Sequence, residues 1–320
     1  MTDTVSESRT PAEDSSQFTR HQKALESIFG AKFVNTFASP YMVMEDQQMA
    51  SPVTVRFYKK DFAYLSKQLY LEYQYRSWKG YSTEVLQRYA EITSTKLGNI
   101  RTMMNNNIAR LRKLLDMQGH KGETLSLWPS VKQFDVPIIT ALPRSYVEVL
   151  KQLDQVYTLA GTAHLLGVID SEQRNDVEFI SKKAVRAFRS ILQTEVIKLY
   201  REAQRLIREQ QGIGGDHTMH AIVEQQGKDI AAFDAVTAED ELTDSSMSLG
   251  GADPSQVIDD AAAASTAAAA AVAGTRRKAA AKKAESGDGG ATAADAAIAA
   301  SAATAEGAAA PAAAVLPAAA

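Results

Sequence analysis

A mainly α-helical fold, with one short strand near the N-terminus and disordered tails, is what this sequence predicts, on three observations. The longest periodic run, Asp170 to Gln211, repeats apolar residues at steps of three and four, the spacing of one helix face. Two earlier stretches, about 83–117 and 145–167, carry the same period. Composition then shifts near Gly212, and of residues 251–320, 34 of 70 are Ala. The 320 residues therefore divide into a disordered acidic arm (1–19), a basic helical domain (20–211) and a tail (212–320) that is acidic first and Ala-rich afterwards.

Taken in order, FTRHQKALESIFGAKFVNTF from Phe18 predicts a short helix with Leu25, Ile28 and Phe29 inward. SPVTVRFYKK, Ser51–Lys60, is the best strand candidate: Val53, Val55 and Phe57 alternate with Thr54, Arg56 and Tyr58, and Pro52 marks its start. Asp61 then caps a helix with Phe62, Leu65, Leu69 and Tyr73 on one face, ended near Gly80. Ser82 or Thr83 starts a longer one, to about Met117. Its apolar positions recur every eleven residues: Leu86, Leu97, Ile108; Tyr89, Ile100, Leu111; Thr93, Met104, Leu115. Such spacing is close to the twist of a straight helix and implies a long, straight seam. Gly98 and Asn105–Asn107 weaken propensity there, so tertiary contacts have to hold it, or it breaks.

Residues 119–143 form a connector in which 136–139 is a short strand or simply extended. A helix from Ser145 to Gly167 turns Tyr146, Val149, Leu150, Leu153, Val156, Tyr157 and Ala160 inward. The short turn at Gly167–Asp170 makes it the antiparallel neighbour of the long helix that follows. That last helix opens with a capping box, Asp170 and Gln173, and stops at Gly212. Opposite its apolar stripe lie Lys182, Arg186 and Arg189, expected to face phosphates.

Charge separates the parts of the chain. Residues 20–211 hold 28 Lys plus Arg against 19 Asp plus Glu, a net of +9; the remainder carries −12, and the whole −3. A basic domain with acidic ends points to a nucleic acid as partner, with the ends competing for the basic face. The absence of cysteine rules out disulfides and thiolate metal sites, and the polar, acidic start lacks a secretion signal. A cytoplasmic protein with no membrane partner is expected. Reaction chemistry leaves no mark: the glycines at 212, 214 and 215 lack a following Lys-Ser/Thr, and His217 with His220 has no third ligand. No catalytic residue, metal or cofactor is assigned.

Tyr146–Ser190 resembles the AcaB-like proteins of integrating conjugative elements and related plasmids. The resemblance rests on the AHLLGVID junction, Ala163–Asp170, and the KAVRAF run, Lys183–Phe188. It implies a homodimeric transcriptional regulator of conjugative-transfer or mobile-element genes, with a ribbon-helix-helix-like element elaborated by long antiparallel helices. In such an element two strands pair into a ribbon that enters the major groove. Thr54, Arg56 and Tyr58 would contact bases, and Lys59, Lys60, Ser82 and Thr83 phosphates. The alternative is an accessory factor of the element that binds protein, and the C-terminal tail is open to a protein partner.

Overall fold

In a computed structural model the described residues are 11–120, 126, 128–210, 217–243 and 253–268. They form α1 (Pro11–Phe29), α2 (Ala31–Thr36), β1 (Met42–Met49), α3 (Pro52–Tyr75), α4 (Thr83–Met117), β2 (Lys132–Ile138), α5 (Ala141–Leu165), α6 (Ser171–Gln210), α7 (His217–Thr243) and α8 (254–268). The fold is mainly helical, with one two-stranded antiparallel sheet in which Met42 lies opposite Ile138 and Met49 opposite Lys132.

Three long helices make the centre. All nine residues of the eleven-residue series in α4 are buried, and α4 runs unbroken past Gly98 and Asn105–Asn107 because α5 and α6 pack along it. The seven inward positions named for α5 are buried too. Gly167, at φ +70°, ends α5 in a Schellman turn: its own amide donates to His164 carbonyl at 3.0 Å and the Val168 amide to Ala163 carbonyl at 2.8 Å. The capping box of α6 closes reciprocally, Gln173 amide to Asp170 Oδ1 at 2.7 Å and Asp170 amide to Gln173 Oε1 at 3.3 Å. The expected stop at Gly212 lies outside the described residues.

Three expectations are corrected. The strand at Ser51–Lys60 is the first part of α3: Thr54, Phe57, Tyr58, Asp61, Phe62 and Leu65 are buried, a spacing of three and four rather than two. Pro52 at the first helical position, after Ser51 as N-cap, is a helix start that the alternation of valines masks. The ribbon-helix-helix strand is therefore not present at these residues. The strand that does form early, β1, pairs with β2 and carries a bulge at 44–47, where Asp46 takes φ 54°.

The ends also differ from expectation. Residues 11–19 of the arm read as disordered belong to α1. Of the tail, 217–243 and 254–268 are helical, and Val223, Ile230, Phe233 and Ile258 are buried against the body. Residues 1–10, 244–252 and 269–320 of the same arm and tail lie outside the described residues. Across residues 20–268, Lys plus Arg number 29 against 30 Asp plus Glu, a net of −1. The excess of +9 thus vanishes once residues 212–268 are counted with those before them; α7 and α8 alone lower it by seven, to +2.

Candidate functional site

Correcting the strand to a helix regroups its charges. On α3, Arg56, Lys59 and Lys60 fall at steps of three and four, so they share one side. That side meets Lys132, at the start of β2, across an open cleft of about 350 Å³ lined also by Ala50, Pro52, Val55 and Ser130. Arg56 is half-buried; Lys59, Lys60 and Lys132 are exposed. Four cationic side chains from two elements converge, a local concentration of positive charge on a body of near-zero net charge. At its edge stands Asp154, which accepts from the Ser51 amide at 2.6 Å and from the Ala50 amide at 3.1 Å. The amides of Ser51, the N-cap of α3, and of Ala50 before it are thereby engaged.

The other residues expected to touch DNA are placed elsewhere. Thr54 is buried, and Tyr58 is buried with its ring 4.5 Å from that of Phe134 and 5.1 Å from that of Phe62. Neither lies on a surface from which a base could be read. Ser82 caps α4, its Oγ accepting from the Val85 amide at 3.4 Å. Its own backbone amide serves the Glu202 carboxylate, which Arg205 holds below the usual range. Ser82 and Thr83 also sit past the far end of α3, about 36 Å of helix from its start. Lys182 is half-buried, while Arg186 and Arg189 are buried. The basic side of α6 is thus partly an internal surface.

Arg189 shows why. Its Nη1 lies 3.1 Å from Asp61 Oδ1, with the two side chains 4% and 0% exposed. The Phe233 ring of α7 covers the pair, 5.6 Å from the guanidinium and stacked on Tyr64 at 3.8 Å. Nearby, burial first and the charge of Asp61 second push the Tyr146 hydroxyl well above its ordinary pKa, with Arg189 opposing. Asp61, read from sequence as a helix cap, is instead the buried counter-ion of a cation expected at the surface. Tyr75 donates to Gln226 Oε1, and Gln226 donates to Gln68 Oε1 at 3.0 Å, fixing α7 over α3. Among the described residues, no three His, Cys, Asp or Glu come together so as to hold a metal ion, and no helix is long and apolar enough to cross a membrane.

Lys132 is the cleft residue that sequence reasoning missed. It lies 72 positions from Lys60 with no periodic relation to it, and only the pairing of β1 with β2 brings it there.

No family model and no curated protein matches the chain. Among solved structures, that of selenomethionine-containing AcaB from uropathogenic E. coli is similar at 13% identity and a TM-score of 0.48, over 59% of this chain and 100% of that one. A likeness of that degree carries no argument about fold or function.

Proposed function

We propose that this chain is a non-enzymatic DNA-binding regulator that grips the duplex backbone with Arg56, Lys59, Lys60 and Lys132. The observation that supports this reading is the convergence of those four cations in one cleft. Phosphate contacts fix a protein on DNA and supply affinity without sequence information. Of the three residues expected to read bases, Arg56 alone borders this surface, so sequence preference is assigned to it. The resemblance of Tyr146–Ser190 to AcaB-like proteins is the ground for naming conjugative-transfer or mobile-element genes as targets.

The test is fluorescence anisotropy of the full chain on duplex DNA across a salt series. Four phosphate contacts give a slope of log K against log salt of about −3.6. Replacing Lys59 and Lys132 together with Ala should bring it to about −1.8 for every sequence. Arg56→Ala should in addition remove the preference for the cognate duplex. A slope near zero, or one unchanged in the double variant, would sink the reading. A second reading, a protein-binding accessory factor, is favoured by Phe179 and Ile180, adjacent and exposed on α6. It predicts no affinity for any duplex.

A further inference from the structure

A second cleft, of about 560 Å³, opens between α1 and β2, and Tyr58 of α3 borders it. Its size falls in the range of roughly 300–1,000 Å³ that small-molecule sites occupy. Helix α1 turns one side toward it, with Arg20, Ala24 and Ile28 at steps of four and Lys23 beside them. Ala24 is buried and Ile28 half-buried, and with the half-buried Phe134 ring they make the walls largely apolar. Tyr58 is 2% exposed, its ring 4.5 Å from that of Phe134.

The polar groups around the cleft differ in how far they are already engaged. Arg20 is committed to Asp135 and Asp46. Asp135 in return accepts twice from Arg20 and once, at 3.1 Å, from the Asp46 amide. Lys23 is exposed and, among the described residues, has no ion pair. The Tyr58 hydroxyl is enclosed and meets no hydrogen-bond partner among the described residues. Such a group is costly to bury and rare in folded chains, so it calls for an acceptor. Burial first and the charge of Asp135 second push the Tyr58 pKa up, so the hydroxyl keeps its proton and acts as a donor. Asp135 borders the same cleft, and its influence on Tyr58 sets the hydroxyl toward that side.

A molecule that fits these walls is flat and apolar along most of its length, since Phe134 offers an aromatic contact and Ala24 and Ile28 aliphatic ones. It carries a single negative charge: Lys23 is the cation left to answer a carboxylate, whereas a dianion would also face Asp135. We propose that this cleft binds a small aromatic monocarboxylate, held by Lys23 at its acid group, by Phe134 and Ile28 along its ring, and by a hydrogen bond donated from Tyr58. Because α1 supplies one wall and β2 with Tyr58 the other, the bound molecule ties α1 to the body. The inference stands apart from the DNA reading, since no residue of this cleft lines the basic one.

The test is isothermal titration calorimetry of the full chain with para-hydroxybenzoate, with para-hydroxybenzamide as its neutral counterpart and acetate as an acid without a ring. The first should bind with a Kd of about 1 mM or below, a modest demand on a ligand of this size. Loss of the charge, whether through the amide or through Lys23→Met, should weaken binding by about fivefold or more, and acetate should give no saturable heat. Tyr58→Phe keeps the ring against Phe134 and removes only the donor, so it should cost about fivefold as well. Hydrogen exchange of α1 amides in the wild-type chain should slow on addition of para-hydroxybenzoate, while that of α7 amides stays the same.

The absence of saturable heat with para-hydroxybenzoate would overturn the proposal. So would wild-type affinity in either variant, which would put the ligand elsewhere. The exchange measurement needs no substitution and decides the matter if a variant misfolds: α1 amides exchanging equally with and without the ligand would sink the site.

Discussion

At the scale of single residues, the pair Asp61–Arg189 carries the sharpest consequence. The two are 128 residues apart in sequence and both are enclosed. A buried ion pair is poor evidence of net stability, but removing one partner leaves the other as an uncompensated interior charge, at a cost of about 3–5 kcal/mol. Asp61→Ala should therefore destabilise the chain by about that amount, read as a fall in the urea midpoint. Asp61→Leu with Arg189→Met should recover most of the loss, since apolar residues of similar volume replace the pair without an orphan. Equal losses in the single and double variants would show that the two charges are not coupled. Neither residue's role was legible in sequence. Asp61 followed by an apolar helical run has the appearance of a cap, and an arginine opposite an apolar stripe that of a surface cation. What overrides both is the enclosure of α6 by α3, α5 and α7, which no local pattern records.

Among the elements, legibility followed length and uniformity of period. Over 35 residues of α4 and 40 of α6 the helical repeat recurs enough times that a few weak positions do not blur it. The start of α3 failed on the opposite ground: in five residues, Val53–Phe57, the apolar Val53, Val55 and Phe57 alternate as a strand would have them, and so short a run fits a strand as well as a helix. β1 was missed because MVMEDQQM carries little apolar alternation, and its partner lies about 90 residues away. The attachment of α1 is a further case of long-range assembly, and it makes a pH prediction. Arg20 Nε lies 2.6 Å from Asp135 Oδ2 on β2, and its Nη2 lies 2.7 Å from Asp46 Oδ1 on β1. The hydrogen bonding of Arg20 to Asp135, with the Asp46 backbone amide as a lesser donor, holds the Asp135 carboxyl below its usual range, against a smaller opposing effect of burial. Because the folded value is depressed, the stabilisation is complete above the ordinary aspartate pKa of about 3.9 and is lost as pH falls through the folded value. Exposure of Arg20 and screening by salt keep the contribution small. Hydrogen exchange of α1 amides should accelerate below pH ~4 before that of α4 does, and Asp135→Asn should remove the difference. Simultaneous loss of protection in both helices would show that α1 does not report on this carboxylate.

For the whole molecule, the domain boundary is what sequence composition misplaced. After Gly212 the chain loses the density of large side chains that marks a core, yet Val223, Ile230, Phe233 and Ile258 suffice to dock two acidic helices on the body. Each such side chain is worth roughly 1.5–3 kcal/mol when fully buried, an upper estimate from which the ordering of α7 and α8 must be subtracted. A chain ending at residue 211 should thus lose about 2–5 kcal/mol of unfolding free energy relative to the full chain. It would also uncover Tyr64, Tyr75 and Gln68, which α7 covers or pairs. A chain ending at 243 keeps α7 and should recover most of that stability. Charge changes in the same experiment: the full chain carries −3, whereas residues 1–211 hold 29 Lys plus Arg against 23 Asp plus Glu, a net of +6. The shorter chain should therefore bind any duplex more tightly than the full chain at low salt, with a steeper salt slope and a smaller difference between cognate and scrambled DNA. Urea unfolding and the anisotropy salt series on the same three chains separate the two effects. If the 211 chain keeps the full-length midpoint, α7 adds nothing to stability. If its DNA affinity is also unchanged, the acidic helices do not screen the basic cleft, and recognition there is set by Arg56, Lys59, Lys60 and Lys132 alone.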